Sequence, residues 1–257
     1  MKTYSRLYVL MIYALVIAFA AACNMGRKTE TKPADTGGSS SGSAGSTNSA
    51  STSTTAPPPA VSTANLAGKY NITGTNPDGA PYKGTLDIIA HGDVYQFRWN
   101  AGSQYDGVGV VNGEVVAVSY TTGENGEGCG VIDYVIETDG TLDGKWGYWG
   151  VNEIGTEHAT RTSGTGLEGE YDATGKNPNG REYRGKLSVA AAGDLYKFVW
   201  SNNTDGVGIK TGNGISVGIG GNRCGFVAYQ IKPDGTLDGV WGGSGSAKTG
   251  TEKAVKR

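Results

Sequence analysis

Asp139-Gly140-Thr141-Leu142-Asp143-Gly144-Lys145-Trp146 returns almost unchanged as Asp234-Gly235-Thr236-Leu237-Asp238-Gly239-Val240-Trp241, and this repetition decides the fold. Outward from it, residues 66–100 match residues 167–201, with 17 of 35 positions identical. The chain therefore contains one module twice, and each copy of about 95 residues is long enough for a small core of its own. We predict a first module over 64–161, a junction at 162–166 and a second module over 167–257.

Within each module the side chains alternate as they do in half-buried β-strands. Tyr95-Gln96-Phe97-Arg98-Trp99 alternates large apolar with polar residues, and Tyr196-Lys197-Phe198-Val199-Trp200 keeps the apolar side. Such alternation is typical of a strand with one buried and one wet face. Pairs such as Asn112-Gly113 are hairpin turn signals, and 44 glycines argue against helix. In the first module we predict strands near residues 68–74, 82–91, 94–100, 104–111, 115–121, 129–137, 141–148 and 155–160.

Consecutive hairpins of this kind predict an up-and-down antiparallel meander. A solitary sheet would leave open edges, and closure into a barrel removes them. A barrel of about eight strands has an interior that side chains just fill, or that holds one small ligand. The predicted fold is therefore all-β, with two tandem small antiparallel meander barrels whose layout resembles that of lipocalins and avidins. Flattened β-sandwiches are the alternative.

The N-terminus has the pattern of a secretory signal. Lys2 and Arg6 precede an apolar run over residues 7–19, and Ala20-Ala21-Ala22 leads into Cys23. The run is shorter than the ~20 residues of a membrane-spanning helix, so we predict a signal peptide over residues 1–22. Small residues before a cysteine resemble the lipobox of bacterial lipoproteins, which implies that Cys23 carries palmitate or similar acyl chains. An ordinary secreted protein cleaved near Ala22 is the alternative.

Residues 23–63 are rich in Ser, Thr, Gly and Pro. Such a composition has too little apolar surface to offset the entropy of ordering, so we predict a disordered linker between the lipid anchor and the modules. The predicted location is the bacterial cell envelope, with the anchor in the membrane, most naturally the outer one, and the modules facing the periplasm or the exterior. The membrane is thus the first predicted partner.

The charge balance argues against nucleic acid as a partner. Without residues 1–22 the chain has 20 basic and 24 acidic residues. A mildly acidic protein is poorly suited to a phosphate backbone. The oligomeric state is not predicted by any feature of the sequence.

A longer motif carries a family resemblance. The pattern Gly-x-Tyr-x-x-x-Gly-x-Asn-Pro-x-Gly-x-x-Tyr-x-Gly occurs over residues 68–84 and again over residues 169–185. With Gly107-Val108-Gly109, Cys129-Gly130 and Gly155-Thr156-Glu157, it resembles a module of bacterial envelope and secreted proteins, some of which are catalogued as fibronectin-binding lipoproteins. The resemblance covers roughly residues 66–255 and implies a host or matrix protein as a partner.

The residues that could carry catalysis are few. His91 and His158 are the only histidines, and the second module has Ala192 and Lys253 in their places, so a histidine triad or a metal site is not expected. Asp143 and Glu157 recur as Asp238 and Glu252. Paired carboxylates hydrolyse glycosides when they face each other across a cleft. We expect instead that Asp143 points outward and that Glu157 ties the last strand to the barrel end, so we predict no enzymatic activity and no cofactor.

Aromatic residues are the strongest candidates for binding. The tryptophans that recur at matched positions are Trp99, Trp146, Trp200 and Trp241. Inward aromatics usually supply core area, and the alternative is an aromatic-lined cavity for an apolar or sugar ligand. Tyr148 and Trp149 have no aromatic counterpart, since Gly243 and Ser244 stand at the matched positions. This pair is either a specific ligand or partner contact, or a packing contact with the second module.

Besides Cys23, each module has one cysteine, at matched positions. Cys129 and Cys224 cannot form a disulfide within a module. Two buried thiols are the simpler interpretation. A bridge between the modules would require them to pack about a suitable pseudo-two-fold axis. Together these features predict a surface-anchored, non-catalytic binding protein, with a structural envelope component and a glycan-cleaving enzyme as alternatives.

Overall fold

The structure, a computed structural model, describes residues 65–123, 125–243 and 245–257. The predicted signal peptide over 1–22, the lipidated Cys23 and the linker over 23–63 lie outside these residues. In the described part of the chain no helix is long and apolar enough to cross a membrane.

The described residues form sixteen strands and one short 3-10 helix at Gly221–Arg223. The first eight follow the predicted bounds closely, and the second eight repeat them. The strands are β1 Gly68–Thr75, β2 Pro81–His91, β3 Val94–Asn100, β4 Gln104–Asn112, β5 Val115–Thr122, β6 Gly130–Ile136, β7 Leu142–Tyr148, β8 Gly155–Thr165, β9 Glu168–Lys176, β10 Glu182–Ala192, β11 Leu195–Trp200, β12 Asp205–Thr211, β13 Gly214–Ile219, β14 Gly225–Ile231, β15 Leu237–Gly243 and β16 Gly250–Lys256.

The strands close into two eight-stranded antiparallel barrels, which confirms the predicted fold class. Barrel 1 has the order β1-β16-β15-β14-β5-β4-β3-β2. Barrel 2 has the order β10-β11-β12-β13-β6-β7-β8-β9. Because both sheets close, no strand presents an open edge.

The barrels do not coincide with the sequence repeats, which corrects the predicted domain boundaries. Barrel 1 takes β1–β5 from the first repeat and β14–β16 from the second, and barrel 2 takes the remaining strands of both. Residues 162–166 run from the end of β8 into the turn before β9, and both of these strands belong to barrel 2. The predicted junction therefore lies inside one barrel. The chain crosses between barrels after β5 and again after β13.

This strand exchange is permitted because the two repeats offer the same pairing edge. In barrel 1, β5 pairs with β14 so that Val118 lies opposite Val227. In barrel 2, β13 pairs with β6 so that Val217 lies opposite Ile132. These are equivalent positions of the repeat, so each barrel has the register that an unexchanged module would have. Local sequence does not distinguish one partner strand from the other.

Cys129 and Cys224 form a disulfide, so the simpler interpretation of two free thiols is wrong. Their Cα atoms are 5.8 Å apart, although 95 residues separate them along the chain. Each cysteine immediately precedes the strand that follows a crossing, β6 or β14. Equivalent positions meet because the strand exchange relates the barrels by a pseudo-two-fold axis near the crossings. The bridge ties the two crossings together.

Each barrel is filled by its inward side chains, and the outward side chains of facing strands pack the barrels together. We call this second contact the inter-barrel seam. The outward Gly147 lies against Val94 and Val110 of barrel 1 so closely that a Cβ atom would be 3.0 Å from either side chain. The buried residues of the seam are Val94, Val108, Val110, Ala117 and Val131 on one side of the axis and Leu195, Val207 and Phe226 on the other.

One carboxylate is buried in the seam. Asp133 is 3 % exposed and accepts hydrogen bonds from Ser216 Oγ at 2.6 Å and Asn112 Nδ2 at 3.2 Å. Burial raises the pKa of Asp133 to about 6, although Ser216, Asn112 and the charge of Lys145 oppose the rise. The equivalent pairing in barrel 1 joins Ala228 to Ala117, so the polar pair is a feature of one barrel only.

Replacing Asp133 by asparagine is expected to stabilise the protein at neutral and alkaline pH. The folded state holds this proton more tightly than the unfolded chain, so the contribution of Asp133 to stability is largest below pH ~4 and is lost as the pH rises through about 6. Chemical unfolding of Asp133→Asn near pH ~8 should show a gain of up to about 3 kcal/mol that shrinks in acid.

Two further variants make this comparison selective. The exposed Asp194→Asn serves as the control and should leave the pH dependence unchanged. The double variant Asp133→Ala with Ser216→Ala reproduces the alanine pair of barrel 1 and should also flatten the profile. A native profile in Asp133→Asn would contradict the assignment.

Candidate functional site

The repeated stretch turns the chain and then places a tryptophan at the barrel mouth. Asp139 Oδ1 accepts the Thr141 backbone N–H at 2.9 Å, and this bond lowers the pKa of the Asp139 carboxyl. Gly140 provides the φ of 85° that the turn needs. Leu142 is fully buried and Asp143 is exposed, as predicted. The second repeat has the same arrangement. Asp234 accepts the Thr236 backbone N–H, Gly235 has the positive φ, Leu237 is buried and Asp238 is exposed.

Glu252 is the centre of a hydrogen-bonded cluster in barrel 1. Its Oε1 accepts the indole N–H of Trp99 at 3.0 Å and the hydroxyl of Tyr229 in a short hydrogen bond. Its Oε2 accepts the hydroxyl of Tyr82 at 2.8 Å. Only 6 % of Glu252 is exposed. Burial raises the pKa of the Glu252 carboxyl, and the three hydrogen bonds oppose that rise.

Glu157 occupies the same position in barrel 2 and is 4 % exposed. It accepts Trp200 Nε1 at 3.0 Å, the Tyr183 hydroxyl at 2.9 Å and a short hydrogen bond from Tyr134. Burial and the neighbouring Glu157 charge raise the pKa of the Tyr134 hydroxyl well above its usual value. The phenol therefore remains the donor and the carboxylate the acceptor.

Each cluster combines side chains from both repeats, as a result of the strand exchange. In barrel 1 the glutamate and Tyr229 come from β16 and β14, whereas Tyr82 and Trp99 come from β2 and β3. Neither repeat therefore contributes a whole cluster to one barrel. The matched aromatic positions in the sequence signal the cluster, but their hydrogen bonds to the glutamate become evident only in the fold.

A cavity opens beside each cluster. The cavity of barrel 1 has a volume of about 360 Å³ and that of barrel 2 about 320 Å³. Glu252 contacts the first and Glu157 the second. The four predicted cavity-lining tryptophans divide between them, with Trp99 and Trp241 in barrel 1 and Trp146 and Trp200 in barrel 2. These volumes lie at the lower end of the range of small-molecule sites.

One polar atom in each cavity wall makes no hydrogen bond of ordinary geometry. The indole N–H groups of Trp146 and Trp241 are buried, and the nearest acceptor of each is a tyrosine hydroxyl, that of Tyr183 or Tyr82. Trp241 lies beside Tyr82 with ring centroids 6.3 Å apart, yet its N–H makes no hydrogen bond of ordinary geometry to that hydroxyl. Buried donors without an acceptor are costly, and a site that binds a ligand is one place where they occur.

Tyr148 lines the cavity of barrel 2, where its ring lies edge-on to Trp146 at 5.7 Å. It covers Gly130, since a Cβ atom there would be 2.6 Å from the Tyr148 ring. In barrel 1 the equivalent glycine, Gly225, is covered by Tyr120 from the neighbouring strand on the other side. The first repeat thus supplies this wall aromatic to both barrels, as Tyr120 from β5 in barrel 1 and as Tyr148 from β7 in barrel 2. Because Tyr120 already covers the glycine in barrel 1, the position matching Tyr148 there needs no aromatic residue.

Trp149 lies elsewhere, because adjacent residues of a strand end point to opposite faces. It is partly buried against the seam residues Val94, Val108, Val110, Ala117 and Val131. The contact joins barrel 2 to barrel 1, but all five of these residues belong to the same repeat as Trp149. The structure therefore separates the predicted Tyr148–Trp149 pair into one cavity residue and one seam residue.

Asp143 and Glu157 both border a further cavity of about 610 Å³ on barrel 2, but their side chains do not face each other across it. In the sheet, Asp143 lies opposite His158 and Glu157 lies opposite Gly144, so the two carboxylates point to opposite sides of the barrel wall. Asp143 instead pairs with His158 Nδ1 at 2.6 Å on the exposed outer surface. The described residues contain no cluster of three or more His, Cys, Asp and Glu side chains that could hold a metal ion.

Comparisons of the chain with protein-family models, with curated proteins and with solved structures find no match.

Proposed function

We propose that the protein is a non-catalytic binding protein in which each barrel holds one small ligand at its open end. The observation that carries this proposal is the matched pair of cavities, each with a buried glutamate and an indole N–H that makes no hydrogen bond of ordinary geometry. Apolar walls with a few convergent polar groups are the usual features of a small-molecule site. The opposite end of each barrel is closed by a tyrosine, Tyr70 or Tyr171, hydrogen-bonded to Leu66 or Leu167.

The cellular setting is part of the same proposal. The signal-like segment, the lipobox-like Cys23 and the composition of residues 23–63 support a lipid-anchored protein of the bacterial envelope. A disulfide between Cys129 and Cys224 suits an oxidising compartment outside the cytoplasm. The resemblance to fibronectin-binding lipoproteins supports a host or matrix protein as an additional partner.

An enzyme acting on glycans has less support. The catalytic pair of such an enzyme faces the bond that is cleaved, with both carboxyl groups in one cleft. Here Glu157 faces the cavity of barrel 2 and Asp143 faces outward. Each of the two tryptophan-lined cavities therefore has one carboxylate and lacks a second carboxylate among its lining residues.

Ligand binding in the cavities predicts a change in tryptophan fluorescence, because four of the five tryptophans line them. We expect a panel of small ring compounds, sugars and amines to include ligands that alter the emission of the chain from residue 24 onward. Trp146→Phe and Trp241→Phe remove the indole N–H and should each weaken binding in one barrel about tenfold, which corresponds to ~1.4 kcal/mol.

Trp149→Phe is the matched control, since Trp149 packs in the seam and lines neither of these cavities. It should leave ligand affinity unchanged. Fluorescence that stays constant across the panel, or affinity that survives the double variant Trp146→Phe/Trp241→Phe, would exclude the cavities as binding sites.

A further inference from the structure

The two buried glutamates have no counter-ion among the described residues. Every hydrogen bond to Glu252 comes from a neutral donor, and the same is true of Glu157. None of the five ion pairs in the described chain includes either residue. A buried carboxylate is costly unless a positive charge or good hydrogen bonds compensate it. Each glutamate is therefore compensated by hydrogen bonds from neutral groups and has no counter-ion. The lining of the cavity in barrel 1 contains no basic residue, whereas Arg184 and Lys186 line the cavity of barrel 2, where Lys186 pairs with Asp172.

The walls of the cavity in barrel 1 are aromatic rings set at steep angles to one another. Tyr82 and Trp241 are inclined at 74°, with ring centroids 6.3 Å apart. Tyr120 is inclined at 60° to Trp99, at 82° to Tyr105 and at 76° to Trp241, with centroid distances of 5.9, 5.9 and 6.5 Å. Rings that meet at such angles form the sides of a box.

An aromatic box with a carboxylate at its wall selects positive charge. The face of an aromatic ring attracts a cation, and Trp and Tyr do so best. An alkylated ammonium group is weakly hydrated, so it enters such a box more readily than a metal ion does. The carboxylate repels phosphate and carboxylate ligands. The volume of about 360 Å³ accommodates a small head group.

We propose that the ligand of each cavity carries an organic ammonium group, which lies among the aromatic rings and beside Glu252 in barrel 1 or Glu157 in barrel 2. This inference rests on the proposed binding function and specifies the chemical class of the ligand. The indole N–H of Trp241 or Trp146, which makes no hydrogen bond of ordinary geometry within the protein, donates to an oxygen atom elsewhere on the same ligand.

The two cavities are not equivalent. At the positions of Tyr105 and Tyr120 in barrel 1, barrel 2 has Thr204 and Ile219, and it gains only Tyr148 in return. Barrel 1 therefore has one more aromatic ring around the ligand. We expect the cation to bind several-fold more tightly in barrel 1, because that cavity offers one additional cation–π contact and because the basic Arg184 and Lys186 line only the cavity of barrel 2.

The test compares choline with its uncharged isostere 3,3-dimethylbutan-1-ol, using calorimetry and tryptophan fluorescence on the disulfide-bonded chain from residue 24 onward. Choline should bind at two sites, and the isostere should bind at least about tenfold more weakly. Glu252→Gln should remove this preference in barrel 1, and Glu157→Gln should remove it in barrel 2. The exposed Glu153→Gln is the control and should retain the native preference.

Tyr120→Ile places the residue of barrel 2 in barrel 1 and should lower the affinity of barrel 1 for choline toward that of barrel 2. This variant keeps the glutamate cluster, and the isostere comparison on the native protein needs no substitution at all. Binding of phosphatidylcholine vesicles in preference to free choline would identify a lipid head group as the source of the cation. The reverse preference would identify a free small molecule.

The outcomes separate the ligand class from the proposed function. Equal binding of choline and its isostere, or binding of neutral sugars while choline fails to bind, would overturn the ammonium inference and leave the cavities as binding sites. If choline, the isostere and the wider ligand panel all fail to bind, both proposals fall.

Discussion

Glu252→Ala is expected to lower the free energy of unfolding by about 2–4 kcal/mol, because it leaves buried donors without their acceptor. Three hydrogen bonds end on this carboxylate, from Tyr229, Trp99 and Tyr82. Each donor comes from a different strand, so the cluster joins β14, β3 and β2 to β16 across the barrel mouth. Two effects offset part of this penalty. The variant no longer buries a charge, and water can enter from the cavity and accept hydrogen bonds from the donors. Denaturant unfolding measures the change.

The repeat provides a second test of the same contact. Glu157→Ala removes the equivalent acceptor in barrel 2 and should destabilise the protein by a similar amount. Glu252→Gln retains an acceptor oxygen and should cost less than Glu252→Ala. The exposed Glu153→Ala should be neutral. If both alanine variants of the buried glutamates were as stable as native protein, the clusters would have no structural role.

Removing the disulfide is expected to have the second large effect. The double variant Cys129→Ser/Cys224→Ser opens a loop closed across 95 residues, and we expect it to lose about 3–4 kcal/mol. The bridge restricts the unfolded chain, and in the native state it holds the two crossings of the strand exchange together. Sheet content should remain native by circular dichroism below the transition, because backbone pairing closes both barrels without the bridge.

Reduction of the native protein should reproduce this loss, and reoxidation should restore it. The double variant should then be insensitive to reductant, which makes it the control for that experiment. Equal stability of the oxidised protein, the reduced protein and the double variant would show that the bridge does not contribute to the fold.

Much of the secondary structure followed from local pattern. Alternation in Tyr95–Trp99 predicted a strand over 94–100, and β3 spans Val94–Asn100. The turn at Asp139-Gly140 and the inward direction of Leu142 were also predicted. These features depend on neighbouring residues, because the two-residue period of a strand and the positive φ of a turn glycine are local properties.

The candidate site was only partly evident from the sequence. Matched spacing identified Trp99, Trp146, Trp200 and Trp241 as cavity candidates, and all four line the cavities. The sequence did not predict that barrel 1 has Tyr120 and Gly243 at the wall positions where barrel 2 has Ile219 and Tyr148. The signal was present, since the first repeat has Tyr120 and Tyr148 where the second has Ile219 and Gly243. Its meaning became evident only from the strand pairing. In barrel 1, Tyr120 of β5 lies opposite Gly225 of β14, and in barrel 2, Tyr148 of β7 lies opposite the matched glycine, Gly130 of β6.

By itself the sequence determined that this protein has sixteen short strands in two equivalent sets, which side of each strand is buried, and where the chain turns. The tertiary structure alone decided that the last three strands of each repeat complete the barrel of the other, that Cys129 and Cys224 meet, and that each glutamate cluster is shared between repeats. The physical reason is that both repeats present the same hydrogen-bonding edge in the same register. Local preferences are satisfied equally by either pairing, so the choice depends on the crossings, the disulfide and the packing of the inter-barrel seam.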